Sequence, residues 1–273
     1  MDIYGKHFEY AGRSSRDYDL VVASLGNSLM NSVRGSEKTE SFYGRKGWSS
    51  YYLGTSWDDS PLSFSISVVR QTPLSNAEIR QVEKWLFNRP SYAKFYVDQD
   101  DDFDGETTEV IDGQEKRLYL NCKMTNPTKL VYDSGVVGFS FTVECDSGFA
   151  HQDAITKQFD IAGDEEFDGT VSITIDSDMP GYLYPRLTIM AGSGGGDITL
   201  VNMTDDSSRS TRLLGVTGSS QVIMNGATNY VSGGYYTKFP GQNFLRLRDG
   251  ENIISVTGDV SSLTFVWSNV RNV

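Results

Sequence analysis

Leu62-Ser63-Phe64-Ser65-Ile66-Ser67-Val68-Val69 alternates large apolar and small hydroxyl side chains. A strand sends successive side chains to opposite faces, so Leu62, Phe64, Ile66 and Val68 share one face and the serines the other. The pattern predicts a half-buried antiparallel strand. Just beyond it, Leu74-Ser75-Asn76-Ala77-Glu78-Ile79 predicts a helix start. Ser75 is the N-cap, Glu78 completes a capping box, and Leu74 with Ile79 forms a hydrophobic staple. Ile79, Val82, Trp85 and Leu86 follow at helical spacing. Arg89-Pro90 ends this helix, expected over 76–88, because a residue before proline is pushed out of the helical region.

Outward from this strand and helix, the chain reads as β. Alternating or β-branched runs predict strands at 18–23, 93–97, 116–124, 129–132 and 136–145. Residues 149–168 are poor in apolar side chains, and the domain boundary is placed there, giving domains 1–149 and 150–273. After it come nine expected strands, at 170–176, 187–191, 197–203, 211–216, 220–224, 228–232, 244–247, 252–256 and 263–267. Strands at this spacing without a helical pattern indicate a β-sandwich. Asn225-Gly226 and Asp249-Gly250 read as hairpin turns. The fold class is mainly β, with one short helix in the first domain.

At 273 residues the chain can bury a core without metal or cross-links. Its 36 acids against 24 bases give a net charge of −12, and no more than two bases are adjacent. Phosphate backbones and anionic membranes are bound through clustered bases, so sequence-nonspecific nucleic-acid binding and attraction to an anionic membrane are disfavoured, and neither specific nucleic-acid binding nor membrane insertion is expected. No apolar run reaches spanning length. Met1-Asp2-Ile3-Tyr4-Gly5-Lys6 lacks the pattern of a signal peptide, so assembly in the cytoplasm is expected. Cys122 and Cys145 are expected as buried apolar residues, since two cysteines and two histidines make no persuasive zinc site.

No enzyme signature stands out. Gly192-Ser193-Gly194-Gly195-Gly196-Asp197 lacks the Lys-Ser/Thr of a phosphate loop and precedes a strand, so it reads as a strand connection. Asp100, Asp102, Asp104 and Gly105 copy the start of a calcium loop, but Ile111 stands where a bidentate Glu is needed. The segment reads as an acidic hairpin loop. His7 and His151 have no evident nucleophile beside them in sequence. No catalytic residue, metal ligand or cofactor is assigned. Phe42, Tyr43, Trp48, Tyr51, Tyr52 and Trp57 crowd together among glycines with no clean period. Large rings of low entropy cost suit protein interfaces, and these six are the candidate oligomer-interface residues. Tyr182, Tyr184, Tyr230, Tyr235, Tyr236 and Trp267 could form a sugar-stacking platform, though ordinary sandwich core and rim is the plainer reading.

The order of segments resembles a known family. Phe8-Glu9-Tyr10-Ala11-Gly12-Arg13-Ser14-Ser15-Arg16-Asp17-Tyr18-Asp19-Leu20 is similar to the opening of distal tail proteins (Dit) of long-tailed bacteriophages. The resemblance continues through Gly44-Arg45-Lys46-Gly47-Trp48, the strand 62–69, the Trp85-Leu86 helix end and Val143-Glu144-Cys145. It closes with Gly250-Glu251-Asn252-Ile253-Ile254, like the family's "G-x-N-x-I" strand. Asp17-Tyr18-Asp19 departs from a more usual Phe-Gly. The resemblance implies a non-enzymatic virion protein at the distal end of a siphovirus tail. Its first domain would be a ring-forming split β-barrel and its second a galectin-like sandwich. A homohexameric ring would join tail tube protein to the tail-tip hub or tail-associated protein and leave a channel for the genome. Tape-measure and receptor-binding proteins are further implied partners. The alternative is a carbohydrate-binding accessory module acting in host attachment through the second domain.

Overall fold

A computed structural model describes residues 6–25, 36–41, 51–57, 60–98, 108–111, 114–133, 135–163, 165–179 and 181–272. The chain forms two compact units, 1–153 with 270–273, and 154–269.

In the first unit, strands run β1 His7–Tyr10, β2 Arg13–Ser14, β3 Val21–Leu25, β4 Ser36–Ser41, β5 Tyr51–Trp57 and β6 Ser63–Val69. Helix α1 Asn76–Leu86 follows, then β7 Ala93–Asp98, β8 Thr108–Ile111, β9 Gln114–Tyr132, β10 Gly135–Cys145 and β11 Phe149–Gln152. The main sheet has the order β2-β1-β7-β9-β10-β6-β3, all antiparallel. β11 pairs with β9, and the C-terminal strand Val270–Asn272 returns to pair with β11.

The helix is built as its sequence dictates. Ser75 Oγ accepts from Glu78 N, and Glu78 Oε2 accepts from Ser75 N at 2.7 Å. Ile79, Val82, Trp85 and Leu86 are its buried residues. Trp85 stacks between Phe8 and Tyr18, each at 5.6 Å, and its indole donates to the Tyr10 carbonyl at 2.7 Å. The β6 serines face out, and Ile66 and Val68 are fully buried.

Two expectations need correction here. Residues 116–124 and 129–132 belong to one strand, β9. Asn126-Pro127 falls in the gap between the two expected strands, and pairing with β10 passes over it, from Thr125↔Thr142 to Thr128↔Ser140. Asn126 adopts φ 51, and a bulge is where a strand tolerates a proline. Residues 15–18 form a 3-10 turn, capped by Ser14 and Asp17, before β3 begins. Cys122 and Cys145, both buried free thiols, stand directly opposite each other in β9 and β10.

In the second unit, strands are β12 Ile155–Asp160, β13 Thr170–Ile175, β14 Arg186–Ala191, β15 Gly196–Asn202, β16 Ser210–Val216, β17 Gln221–Asn225, β18 Tyr230–Val231, β19 Gly250–Thr257 and β20 Val260–Trp267. They form two antiparallel sheets, β12-β20-β14-β17-β18 and β13-β19-β15-β16. Along β13 the burial alternates, with Val171, Ile173 and Ile175 buried and Thr170, Ser172 and Thr174 exposed. Leu187, Ile189, Leu263 and Phe265 from one sheet and Ile173, Leu200 and Ile254 from the other make the sandwich core. Residues 244–247 are not a strand. Phe244 and Leu245 are consecutive and both buried, which breaks a period of two, and only Leu247 bridges, to Leu183.

Among the described residues no helix is long and apolar enough to cross a membrane.

Candidate functional site

Of the six candidate interface aromatics, Phe42, Tyr43 and Trp48 lie outside the described residues. Tyr51, Tyr52 and Trp57 lie on β5, in a two-stranded sheet with β4, at positions paired with Ser41, Glu40 and Ser36. The acidic segment 99–107 is also outside the described residues.

The outward face of the main sheet carries a second constellation, which sequence reading missed. β7 contributes Lys94 and Tyr96, β9 contributes Arg117 and Tyr119, and the β11 region contributes His151 and Asp153. Each pair is spaced by two, so each pair shares a face. The intervening Phe95, Leu118 and Gln152 are buried. Register then aligns the pairs: Glu9 faces Tyr96 and His151 faces Tyr119. Lys94 Nζ sits 3.9 Å over the Tyr119 ring and 2.9 Å from Asp153 Oδ1, which also accepts from Tyr96 Oη at 3.0 Å. The Arg117 guanidinium lies 4.0 Å over the Tyr96 ring and donates to Glu9 at 2.9 Å. Tyr119 and His151 rings approach to 5.7 Å.

The electrostatics follow. Burial alone would raise the Asp153 carboxyl, but hydrogen bonds from Lys94 and Tyr96 outweigh it and hold the pKa below the usual range. Burial would lower the Lys94 ammonium, and Asp153, with Tyr96 and Tyr119, more than reverses this. Burial lowers His151 against the opposing pull of Asp146. Lys94 and Arg117 are thus balanced by Asp153 and Glu9 on this face of an acidic protein.

His151 shows why the face is not a hydrolytic triad. Ser147 Oγ lies 3.2 Å and Asp146 Oδ1 3.9 Å from the same ring nitrogen, Nε2. A serine relay needs the carboxylate on Nδ1, opposite the serine. His7 Nδ1 meets Ser15 Oγ and the Leu20 carbonyl, a structural tie between β1 and the following turn.

The glycine-rich connection is filled from within. Gly194 N and Gly195 N donate to Asp259 Oδ2 at 2.6 and 3.1 Å. A Cβ at Gly192 would overlap the same carboxylate. The backbone amides that would cradle a phosphate thus hold a side chain of the β19–β20 turn. The six second-domain aromatics do not form a common platform. Tyr235 and Trp267 are buried, and Trp267 donates to Asn269. Tyr182 has one face covered by the Arg246 guanidinium at 3.7 Å, itself tied to Asp205 at 2.7 Å.

A model of the phage tail protein N-terminal domain matches residues 3–147, and a model of the phage tail C-terminal domain matches residues 149–267. Among curated proteins, none matches the chain by sequence. The chain is similar in structure to the Dit protein of phage SPP1, described as a paradigm of the hub adsorption apparatus in phages infecting Gram-positive bacteria. The TM-score is 0.64 at 9% identity, covering 97% of this chain and 98% of that one. A chain of the phage P2 baseplate in its activated conformation matches with a TM-score of 0.51 at 7% identity, covering 97% and 98%. The fold is Dit-like.

Proposed function

The chain belongs to the phage tail proteins, and from that membership we propose that it forms a homohexameric ring at the distal end of the tail. The ring joins the tail tube to the hub proteins and leaves a channel for the genome. Its role is structural and non-enzymatic, and its place is the virion. The observation that supports this reading most is the match in fold along both whole chains to a protein of a hub adsorption apparatus.

The first unit supplies the ring, and two of its features support self-association. A ring repeats one heterologous contact by rotation, so different patches of each copy must meet. Copies carrying −12 each repel one another, and the face around Lys94, Tyr96, Arg117 and Asp153 is charge-balanced, so copies can approach through it. The aromatic segment 42–57, with β5, supplies the large rings of a second patch. The second unit is the galectin-like outer decoration.

The test is the solution mass of the full chain beside a Trp48→Ala, Tyr51→Ala, Tyr52→Ala variant. The reading expects six times the single-chain mass for the parent and a smaller species for the variant. A triple variant that assembles like the parent removes the aromatic segment from the contact.

A further inference from the structure

Two adjoining grooves flank the exposed side of α1, with volumes of about 440 and 520 Å3, sharing Lys84 and Asn88. Their combined walls hold five bases, Arg13, Arg80, Lys84, Arg89 and Lys129, and one acid, Glu83. Glu83 is already paired with Lys129 at 2.8 Å. Among the described residues no carboxylate lies within ion-pair distance of Arg80 or Lys84. A cationic groove is out of keeping with a chain of net charge −12. The floor is apolar, with Phe87 packed on Phe139 and Phe141 at 5.8 and 5.5 Å. The occupant that fits is an acidic segment carrying one large apolar side chain.

The chain has such a segment. Asp100-Asp101-Asp102-Phe103-Asp104-Gly105-Glu106 holds five acids, no base and a central Phe. The described residues on either side of it are Asp98, where β7 ends, and Thr108, where β8 begins. Asp98 pairs with His7, at one end of β1. The grooves lie at the other end, where Arg13 follows Tyr10 and Pro90 precedes Ala93. The six residues of β7 separate the two ends by about 17 Å. Phe103, five residues from Asp98, reaches at most about 17 Å with the chain pulled straight. Service within one copy would need both arms stretched flat along the sheet with no slack. Service from a neighbour needs none of this, and puts donor and acceptor at opposite ends of one sheet, which is a head-to-tail contact.

We propose that the grooves beside α1 receive the acidic segment Asp100–Glu106 of the next copy of this chain, with Phe103 over Phe87 and the carboxylates on Arg80 and Lys84. The proposal rests on the ring reading for the identity of its partner.

The test uses the full chain in three charge variants: Arg80→Glu with Lys84→Glu, Asp101→Lys with Asp102→Lys, and all four together. All four positions carry charged side chains, and Arg80 and Lys84 are exposed on the helix. Solution mass is read for each, and binding of a labelled synthetic peptide of residues 98–113 is read by fluorescence anisotropy. Either pair alone should weaken self-association by about tenfold or more through like-charge contact. The fourfold variant should restore it. The peptide should bind the parent, lose affinity on the Arg80→Glu, Lys84→Glu chain, and weaken as salt is raised. A monomeric parent that still binds the peptide in this charge-dependent way keeps the groove assignment while the ring reading fails. A parent that assembles together with both pair variants keeps the ring and overturns the proposal. Absence of peptide binding, or equal capture of a random-sequence DNA duplex, also overturns it.

Discussion

The side-chain amide of Asn202 donates to Oδ1 of Asn252 at 2.9 Å, and both residues are buried. Asn252 also accepts from Arg248 N at 2.8 Å and donates to the carbonyls of Arg248 and Gly250 at 2.7 and 3.0 Å. Asn202 donates in turn to the Arg246 carbonyl at 2.9 Å. One asparagine thus satisfies the backbone of a turn that enters β19 through Gly250 at φ 88. This is the physical content of the Gly250-x-Asn252-x-Ile254 stretch.

Asn252→Leu keeps the branch at Cγ, with more bulk, and strands these backbone groups in the core. Each buried polar group left unpaired costs roughly 1–3 kcal/mol, so a loss on the order of 3 kcal/mol is expected. Urea denaturation followed by tryptophan fluorescence measures it. An unchanged midpoint would mean the turn finds other partners.

Helix α1 offers two graded tests. Ser75→Ala should cost about 1 kcal/mol through the lost cap. Leu86→Ala removes a side chain that is 1% exposed and should cost roughly 2–5 kcal/mol. Equal losses in thermal denaturation would contradict the burial assigned to Leu86.

Glu78 links stability to acid. Hydrogen bonds from Arg70, at 2.9 and 3.0 Å, and from Ser75 lower its pKa from 4.5 to about 2. Folding favours the ionised form, so its contribution is complete above about pH 4.5 and is lost as pH falls through about 2. Glu78→Gln should therefore flatten the acid limb of the stability curve in that window and leave its shape near neutrality unaltered. A parent and variant that lose stability in parallel below pH 4.5 would exclude the link.

Gly226 opens the turn between β17 and β18 and is also a packing residue. β17 and β18 pair Asn225 with Tyr230, so four residues connect them, and the expected two-residue Asn-Gly turn is absent. A Cβ on Gly226 would lie 2.7 Å from the Tyr184 ring and 2.9 Å from Phe244 Cβ. Gly226→Ala should cost about 1–3 kcal/mol by overpacking, recovered in part by Tyr184→Ala. Calorimetry of the single and double variants decides it.

These cases mark what the sequence could disclose. The capping of α1 was legible because Ser75 and Glu78 are neighbours and the signal is local. The strand 62–69 was legible because one face is buried and the other is not. The Lys94–Tyr119–Asp153 face was not, since three separate pairs become one face only when strand register is known. The return of residues 270–272 to pair with 149–151 is equally non-local. The gap at 125–128 misled because a bulge there lets the pairing continue, and Asn225-Gly226 because it opens a longer turn and makes a close contact. Of the proposed interface, the clustering of six aromatics was visible, while the cationic grooves needed the helix and the β9–β10 pair placed together.

Negative-stain electron microscopy of the purified full-length chain tests the ring most directly. The account expects closed rings of six copies with a central hole, seen end-on and falling apart in the Trp48→Ala, Tyr51→Ala, Tyr52→Ala variant. Fields of single particles at concentrations where the tail assembles, still unassembled when tail tube protein is added, would contradict it.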